Sequence, residues 1–490
     1  MKKKKNLIII TPDQMRYDYL GCYGHPDIGT KHLDQLASDG VLLESCYCAA
    51  PLCGPSRISF TTSTYFSEHN HRNYWSTISP DVPNLVTQIK NAGYVTGMFG
   101  KNHLFTYERL PEVWDELDEI CLGNYDGLEE YRHAFSSFTL PADHPFNITG
   151  RLTDEALDFM KRRKDEPFFV WVNYQDPHPA FTCPAPYDTM FNPEDIELDA
   201  TYYKYDADKQ PARNEVWRVH SEMDLCTDMD LKQAIAHYMG QIRYVDDSVG
   251  RIMNFLNETG LEEETIVLFF SDHGELLGSY NMTHKIPVFY DCLTRIPAIL
   301  RYPGKYRGVR FKGLVEEVDL APTLLDLMDI EIPETMVGCS LAGNLERGRF
   351  EYFKESALSE AGGGGPTWKE PVKGLKLLAP HLPTSLGPGA MVRKENYKLS
   401  VYADDKCELY DLEHDPDELQ NLFENPAMKE VRAEMILLLT KRLLSVKIRD
   451  TGNMEWNSRI YPQDVRFEPL ELCSVGKDVE DENSERKIRT

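Results

Sequence analysis

The sequence contains no uninterrupted apolar run approaching the roughly 18 residues of a membrane-spanning helix, which argues against a membrane partner. Its start, MKKKKNLIII, joins a basic end to an apolar run too short for the core of a secretory signal. A charged tail running into a first strand is expected there. Positive charge is scarce: 53 Lys and Arg stand against 79 Asp and Glu, for a net charge of −26. That balance excludes nucleic acid as a partner and disfavours general adhesion to acidic surfaces, so any anionic substrate must meet a local cluster of cations. A disulfide framework is also missing. The 11 cysteines are an odd-numbered set scattered along the chain, so a reducing cytoplasm is the expected location and the sequons at Asn147, Asn257 and Asn281 are incidental. No internal repeat is present. What is abundant is core-forming material, 41% hydrophobic and 11% aromatic, enough for one large domain and a smaller one.

Short apolar runs bounded by turn residues alternate with longer amphipathic stretches, the pattern of an α/β domain with a large, mainly parallel sheet flanked by helices. NLIII (Asn6 to Ile10), PFFVWVNY (Pro167 to Tyr174) and TIVLFF (Thr265 to Phe270) read as buried strands, with YVTGMF (Tyr94 to Phe99) a weaker candidate. Thr153 to Glu166 and Lys232 to Gly260 read as helices, the first N-capped by Thr153 and the second closed by Gly260. The Asp246-Asp247 pair on the second reads as a solvated or salt-bridged face. Gly362 to Gly389, rich in Gly and Pro, reads as a long loop, either plain surface or a lid. Its glycine run lacks the Lys-Ser/Thr and strand-helix context of a phosphate-cradling loop. ENYKLSVY and CELYDLEHDPDELQNL then suggest a smaller α+β subdomain with an antiparallel sheet and a terminal helix. The expected division is a catalytic domain over 1–360 and that subdomain over 361–490.

Open α/β sheets bind ligands at the carboxyl ends of their strands, and four of the expected strands run directly into polar clusters. Asp13-Gln14 follows the first, Lys101-Asn102-His103 follows YVTGMFG, Asp176-Pro177-His178 follows FFVWVNY, and Ser271-Asp272-His273-Gly274 follows TIVLFF. Each alone is as readily a turn or a helix cap; together they point to a site. Asp13 and Asp272 with His273 offer hard oxygen and nitrogen ligands for one divalent cation. Lys101, Lys285 and Arg57 suit a tetrahedral anion, while His103 and His178 suit proton transfer.

One further stretch, CGPSR (Cys53 to Arg57), completes a set that resembles the type I sulfatases of the alkaline phosphatase-like superfamily. The stretches that carry the likeness are, in order, TPDQMRYDYLGCYG, CGPSR, GYVTGMFGKNHL, QDPHPAF, YVDDSVGRI, SDHGELLGSYNMTHK, RIPAILRYPG, VDLAPTLLDL and ELYDLEHDPDELQNL. The resemblance implies that Cys53 is oxidised to formylglycine by a maturation enzyme that reads this segment. A hydrated formylglycine is a geminal diol, so one hydroxyl can attack sulfur and the other can collapse to the aldehyde and expel sulfate. It further implies metal ligands at Asp13, Gln14, Asp272 and His273 together with the formylglycine from Cys53. Arg57 would orient the diol, Lys101 and Lys285 would neutralise the sulfate, His178 would serve as general acid and His103 as base. Gln14 departs from the commoner second Asp, costing the site one negative charge. Calcium is the usual metal, and the nitrogen ligand leaves magnesium or manganese open.

Pro55 suits the first turn of a helix, which would place Cys53 at a helix N-terminus that favours negative charge and Arg57 on the same face one turn on. The competing reading of Cys53 is a structural cysteine or a zinc site with Cys46 and Cys48, for which no fourth ligand with zinc spacing is evident. HNHRNYW (His69 to Trp75) either lines the substrate pocket or packs. The expected substrate is a small aryl or carbohydrate sulfate. A phosphonate monoester or phosphodiester hydrolase is the alternative, since it shares the formylglycine and the Asp-Gln pair. A two-zinc phosphatase lacks its extra ligands here, and the completeness of the site disfavours a non-catalytic binding protein. A homo-oligomer is left open.

Overall fold

In a computed structural model the chain is described over residues 4–73, 76–120, 133–141, 143–144, 147–204, 206, 210–363, 386–403, 405–445 and 455–456. The large sheet has eight strands: β1 (Asn6–Pro12), β2 (Val41–Leu43), β3 (Val95–Lys101), β4 (Glu116–Ile120), β5 (Phe168–Tyr174), β6 (Thr265–Phe270), β7 (Ala298–Arg301) and β8 (Val309–Phe311), in the order β8-β2-β7-β6-β1-β5-β3-β4. The run from β6 to β4 is parallel throughout. β7 lies antiparallel to both β6 and β2, and β8 is parallel to β2. The sheet is therefore mixed and mainly parallel, as expected.

β1, β5 and β6 are buried at every position. Strands covered on both faces read as continuous apolar runs rather than alternating ones. Leu7, Ile9, Phe169, Trp171, Ile266 and Leu268 line one face; Ile8, Ile10, Val170, Val172, Val267 and Phe269 line the other. Helix α2 (Cys53–Thr62) covers the first face, and Phe60 meets Trp171 and Phe270 with ring centroids 5.5 and 4.4 Å apart. Helices α3 (Thr149–Arg163) and α4 (Asp228–Thr259) cover the second.

Two helix readings require correction. α3 begins a turn earlier than expected. Thr153 lies inside it, its hydroxyl bonded to the Thr149 carbonyl at 2.7 Å and to the Tyr174 hydroxyl at 2.8 Å. Those partners satisfy a polar side chain that would otherwise favour a cap. α4 also starts earlier, behind a capping box made by Thr227 and Asp230, and closes at Gly260 with φ 71° as read. The Asp246-Asp247 pair is salt-bridged rather than solvated, with Arg243 3.7 Å from Asp247 and 4.0 Å from Asp246, and Asp246 does more. It is fully buried and accepts hydrogen bonds from the backbone amides of His32 (3.1 Å) and Leu33 (2.8 Å), thereby capping helix α1 (Lys31–Ser38) from a distant element. Burial raises its pKa to about 6.

The C-terminal region forms a four-stranded antiparallel meander, β9 (Ala357–Ala361), β10 (Gly389–Lys394), β11 (Tyr397–Tyr402) and β12 (Glu408–Asp411). Helix α5 (Lys429–Ser445) seats Met435 and Leu439 against it. The division placed at residue 360 falls within β9. Buried charges join the two parts: Lys398 on β11 reaches Asp291 at 2.7 Å and also pairs with Glu418, while Arg442 on α5 reaches Glu316 at 2.7 Å. Of the Gly/Pro-rich loop, residues 364–385 lie outside the described residues.

Candidate active site

Because β6, β1, β5 and β3 are parallel neighbours, their carboxyl ends open on one edge of the sheet. Asp13 and Gln14 leave β1 there, Asp272 and His273 leave β6, Asp176 and His178 leave β5, and Lys101 closes β3. α2 points its N-terminus at the same place, with Leu52 in extended geometry before it and Cys53 as its first residue. Every residue of α2 is buried, and Cys53 is 2% exposed.

The Cys53 sulfur lies 3.1 Å from His273 Nε2 and 3.5 Å from Asp13 Oδ1. Asp13, Cys53, Asp272 and His273 are all buried, and their ligand atoms fall within 4.8 Å of one another. His273 Nδ1 stands 2.8 Å from the Gly274 carbonyl, which can only accept. The proton is therefore on Nδ1, and Nε2 presents its lone pair to the cluster, the arrangement of a metal-ligating histidine. Burial pushes the pKa of His273 down to about 3 and keeps it neutral. For Asp272, burial is outweighed by Arg57, His273 and Lys101, which hold its pKa down at about 2. Two carboxylates and a poised imidazole fit a divalent cation. Cys46 and Cys48 take no part in this cluster.

Cations surround the cluster. Lys101 pairs with Asp13. Arg57 Nε donates to Asp272 Oδ2 at 2.9 Å and Nη1 to Asn173 Oδ1 at 2.5 Å, while the buried Nη2 has no hydrogen-bond partner. Lys285 donates to Gln14 Oε1 and, at 2.8 Å, to His178 Nε2. His178 Nδ1 donates to the Pro179 carbonyl. Burial first, then Lys285 and Lys101, lower the pKa of His178 well below its ordinary value. His103 is buried at φ 52° with Nδ1 unpartnered, and burial followed by Lys101, Arg57 and Lys285 lowers its pKa as well. The ten expected positions thus converge on one site, His103 through its electrostatic neighbours rather than a hydrogen bond. Burial pushes the Cys53 thiol up to about 11, so an unmodified thiol there would be neutral and a poor nucleophile.

Sequence reasoning missed three buried polar residues. Asn173 holds Arg57; its signal was a lone amide inside the apolar run FFVWVNY. Glu275 holds Gln14 through the amide nitrogen. Glu317 lies under α2: Ser56 Oγ is 2.7 Å from the Asp272 carbonyl and 2.5 Å from Glu317 Oε1. The single hydroxyl proton goes to the carbonyl, so Glu317 must supply the other, in keeping with burial raising its pKa well above the usual range. No local pattern marks Glu317. Of HNHRNYW, His69 packs inward and bonds Ser59 at 2.9 Å, and Arg72 reaches the Gly362 carbonyl at 3.1 Å. Tyr74 and Trp75 lie outside the described residues.

A sulfatase family model matches residues 5–330. The chain belongs to the sulfatase family. A second model, for the C-terminal part of N-sulphoglucosamine sulphohydrolase, matches residues 384–445. This sulfatase is 29% identical to the uncharacterized sulfatase YidJ of Escherichia coli K12 over 95% of its own length and 92% of that protein's. It is 24% identical to an N-acetylglucosamine-6-O-sulfatase of Bacteroides thetaiotaomicron, covering 92% and 88% respectively. Among solved structures, the phosphonate monoester hydrolase of Silicibacter pomeroyi superposes with a TM-score of 0.74 at 25% identity, over 91% of this chain and 96% of that one. The sulfatase is accordingly a sulfuric ester hydrolase on an alkaline phosphatase-like fold.

Proposed function

We propose that this sulfatase cleaves the sulfate ester of a small carbohydrate or aryl sulfate, with formylglycine made from Cys53 and one divalent cation held by Asp13, Gln14, Asp272 and His273. The observation that carries the reading is the position of Cys53, at an electropositive helix N-terminus and within 3.5 Å of two expected ligands. The relative that acts on N-acetylglucosamine-6-O-sulfate supports a sugar leaving group. Family precedent favours calcium, and the imidazole ligand is compatible with magnesium or manganese. The nine described cysteines are unpaired, which supports a reducing compartment as the place of work.

When hydrated, the formylglycine supplies a geminal diol, one hydroxyl to attack and one to release sulfate. The cation, when bound, supplies positive charge beside the attacking oxygen. The chain does the rest. Arg57 is held at two nitrogens and offers the third, Nη2, to an anionic oxygen. Lys101, paired with Asp13, and Lys285, bonded to Gln14 and His178, stabilise charge as the ester bond breaks. His178 accepts from Lys285 as it stands; an anionic ester beside Lys285 favours protonation of Nε2, the form that a general acid must carry. His103, neutral and unpartnered at Nδ1, suits the base. Mass spectrometry of the Cys53 peptide from active protein tests the proposal. The aldehyde mass is expected, and active protein carrying only thiol would overturn it.

The neutral ligand at Gln14 and the likeness to a phosphonate monoester hydrolase favour a second, weaker activity on singly charged phosphonate monoesters or phosphodiesters. Comparing kcat/KM for an aryl sulfate and an aryl phosphonate ranks the two.

A further inference from the structure

Gln14 is constrained at every polar atom. Its φ is 68°, its backbone N–H donates to Asp272 Oδ1 at 3.1 Å, and its carbonyl accepts from the Tyr238 hydroxyl at 2.8 Å. The side-chain amide is caught between two opposite charges. Nε2 donates to Glu275 Oε2, and Oε1 accepts from Lys285. Glu275 is fully buried, and its other oxygen takes the Leu277 N–H at 3.0 Å and the Thr283 hydroxyl at 3.4 Å. Turning the amide over would set its oxygen against a carboxylate and its N–H₂ against an ammonium group.

We propose that Glu275 is a positioning residue for metal binding: it selects an amide at position 14 and fixes which end of that amide faces the cation. An amide oxygen has two lone pairs. Lys285 uses one, and the second is free for the metal only in the orientation that Glu275 imposes; the reverse orientation presents N–H to a cation. A carboxylate at position 14 has no N–H to give Glu275 Oε2 and would set two acceptors face to face. A carboxyl group thus stands one hydrogen bond behind the neutral ligand, and Gln14 and Glu275 act as a matched pair. This rests on the metal site proposed above.

The test is divalent-cation affinity, measured by calorimetry on the matured protein in the absence of any ester, so that the readout is independent of turnover. Glu275→Gln must turn an N–H₂ toward either Gln14 or the Leu277 N–H, and should weaken calcium or manganese binding about 10- to 100-fold. Gln14→Glu should weaken it similarly by facing two carboxylates. The exchanged double variant, Gln14→Glu with Glu275→Gln, restores one carboxylate and one amide in contact and should recover affinity to within several-fold of wild type. Such rescue is a strongly non-additive cycle. If Gln14→Glu does not fold, tighter binding by the double variant than by Glu275→Gln still supports the pairing. Double-variant affinity at or below that of Glu275→Gln overturns it, as does a Glu275→Gln protein that binds like wild type. Wild-type protein that binds no divalent cation would overturn the metal site itself along with the pairing.

Discussion

Cys53 and Lys285 carry the sharpest consequences of single side chains. Cys53→Ser should abolish turnover in a host whose maturation enzyme reads only cysteine, with the aldehyde mass absent from the peptide spectrum and the melting curve little changed, because serine is the smaller group. Lys285 touches both Gln14 and His178, so in the proposed mechanism it would serve the ligand set and the acid together. Lys285→Ala should reduce kcat/KM for an aryl sulfate and an aryl phosphonate by a similar factor, on the order of 100-fold for one preorganised charge contact. Loss of only one activity would show that the two esters do not share this site. Asp13, Gln14, Lys101, Asp272 and His273 were legible in the sequence because they sit at or just past strand ends, beside apolar runs that identify themselves, whereas Cys53 and Arg57 stand on α2 and were marked by the CGPSR stretch. Asn173, Glu275 and Glu317 were not. Each works through a partner between 116 and 261 residues away, and no local spacing encodes such a contact.

Among the elements, β1, β5 and β6 announced themselves because both faces are covered and every residue is apolar or nearly so. β3 was weaker for a physical reason. Gly97 packs under the Phe159 ring, and Gly100, at φ 116°, leaves room for the Asn173 carbonyl, where a Cβ would sit 1.9 Å away. Close packing there demands residues that sequence patterns count as strand breakers. The start of α3 was misread because Thr153 finds its partners in Thr149 and Tyr174 rather than at a cap. Two predictions belong at this scale. Phe60 is the contact between α2 and the sheet, and Phe60→Ala should cost about 3 to 5 kcal/mol in chemical denaturation. Asp246 caps α1 as a buried acid whose folded pKa is raised to about 6, against about 3.9 when unfolded. The unfolded chain therefore loses its proton first as pH rises, and stability falls between about pH 4 and 6. Asp246→Asn keeps an acceptor oxygen and removes the titration, so across that window the variant should gain on wild type by up to about 3 kcal/mol. Parallel unfolding curves at pH 4 and pH 7 with an unchanged gap would refute this.

At the scale of the whole molecule, the small sheet is tied by buried charge to the segment that follows the active-site strand β6. Lys398 has no exposure and answers both Asp291 and Glu418. Lys398→Met would take the cation from Glu418 and leave Asp291 to Arg393 and Arg295, at 3.7 and 3.9 Å, and breaking a buried pair from one side costs about 3 to 5 kcal/mol; a melting temperature within error of wild type would contradict this. Asp291 lies six residues beyond Lys285, so the same variant should also weaken kcat/KM. The full burial of α2 sets a limit on timing. An enzyme cannot grip a cysteine that is 2% exposed within a helix buried along its whole length, so the formylglycine proposed above would have to be made while the chain is still open. His273, whose Nε2 lies 3.1 Å from the Cys53 sulfur, is synthesised 220 residues later. At the roughly 5 to 20 residues per second of translation, Cys53 waits about 10 to 45 s before the sheet can close. Maturation is then a race against synthesis and folding. Slower translation after residue 53 should raise the aldehyde fraction, and purified, folded thiol protein should resist conversion that its unfolded chain accepts.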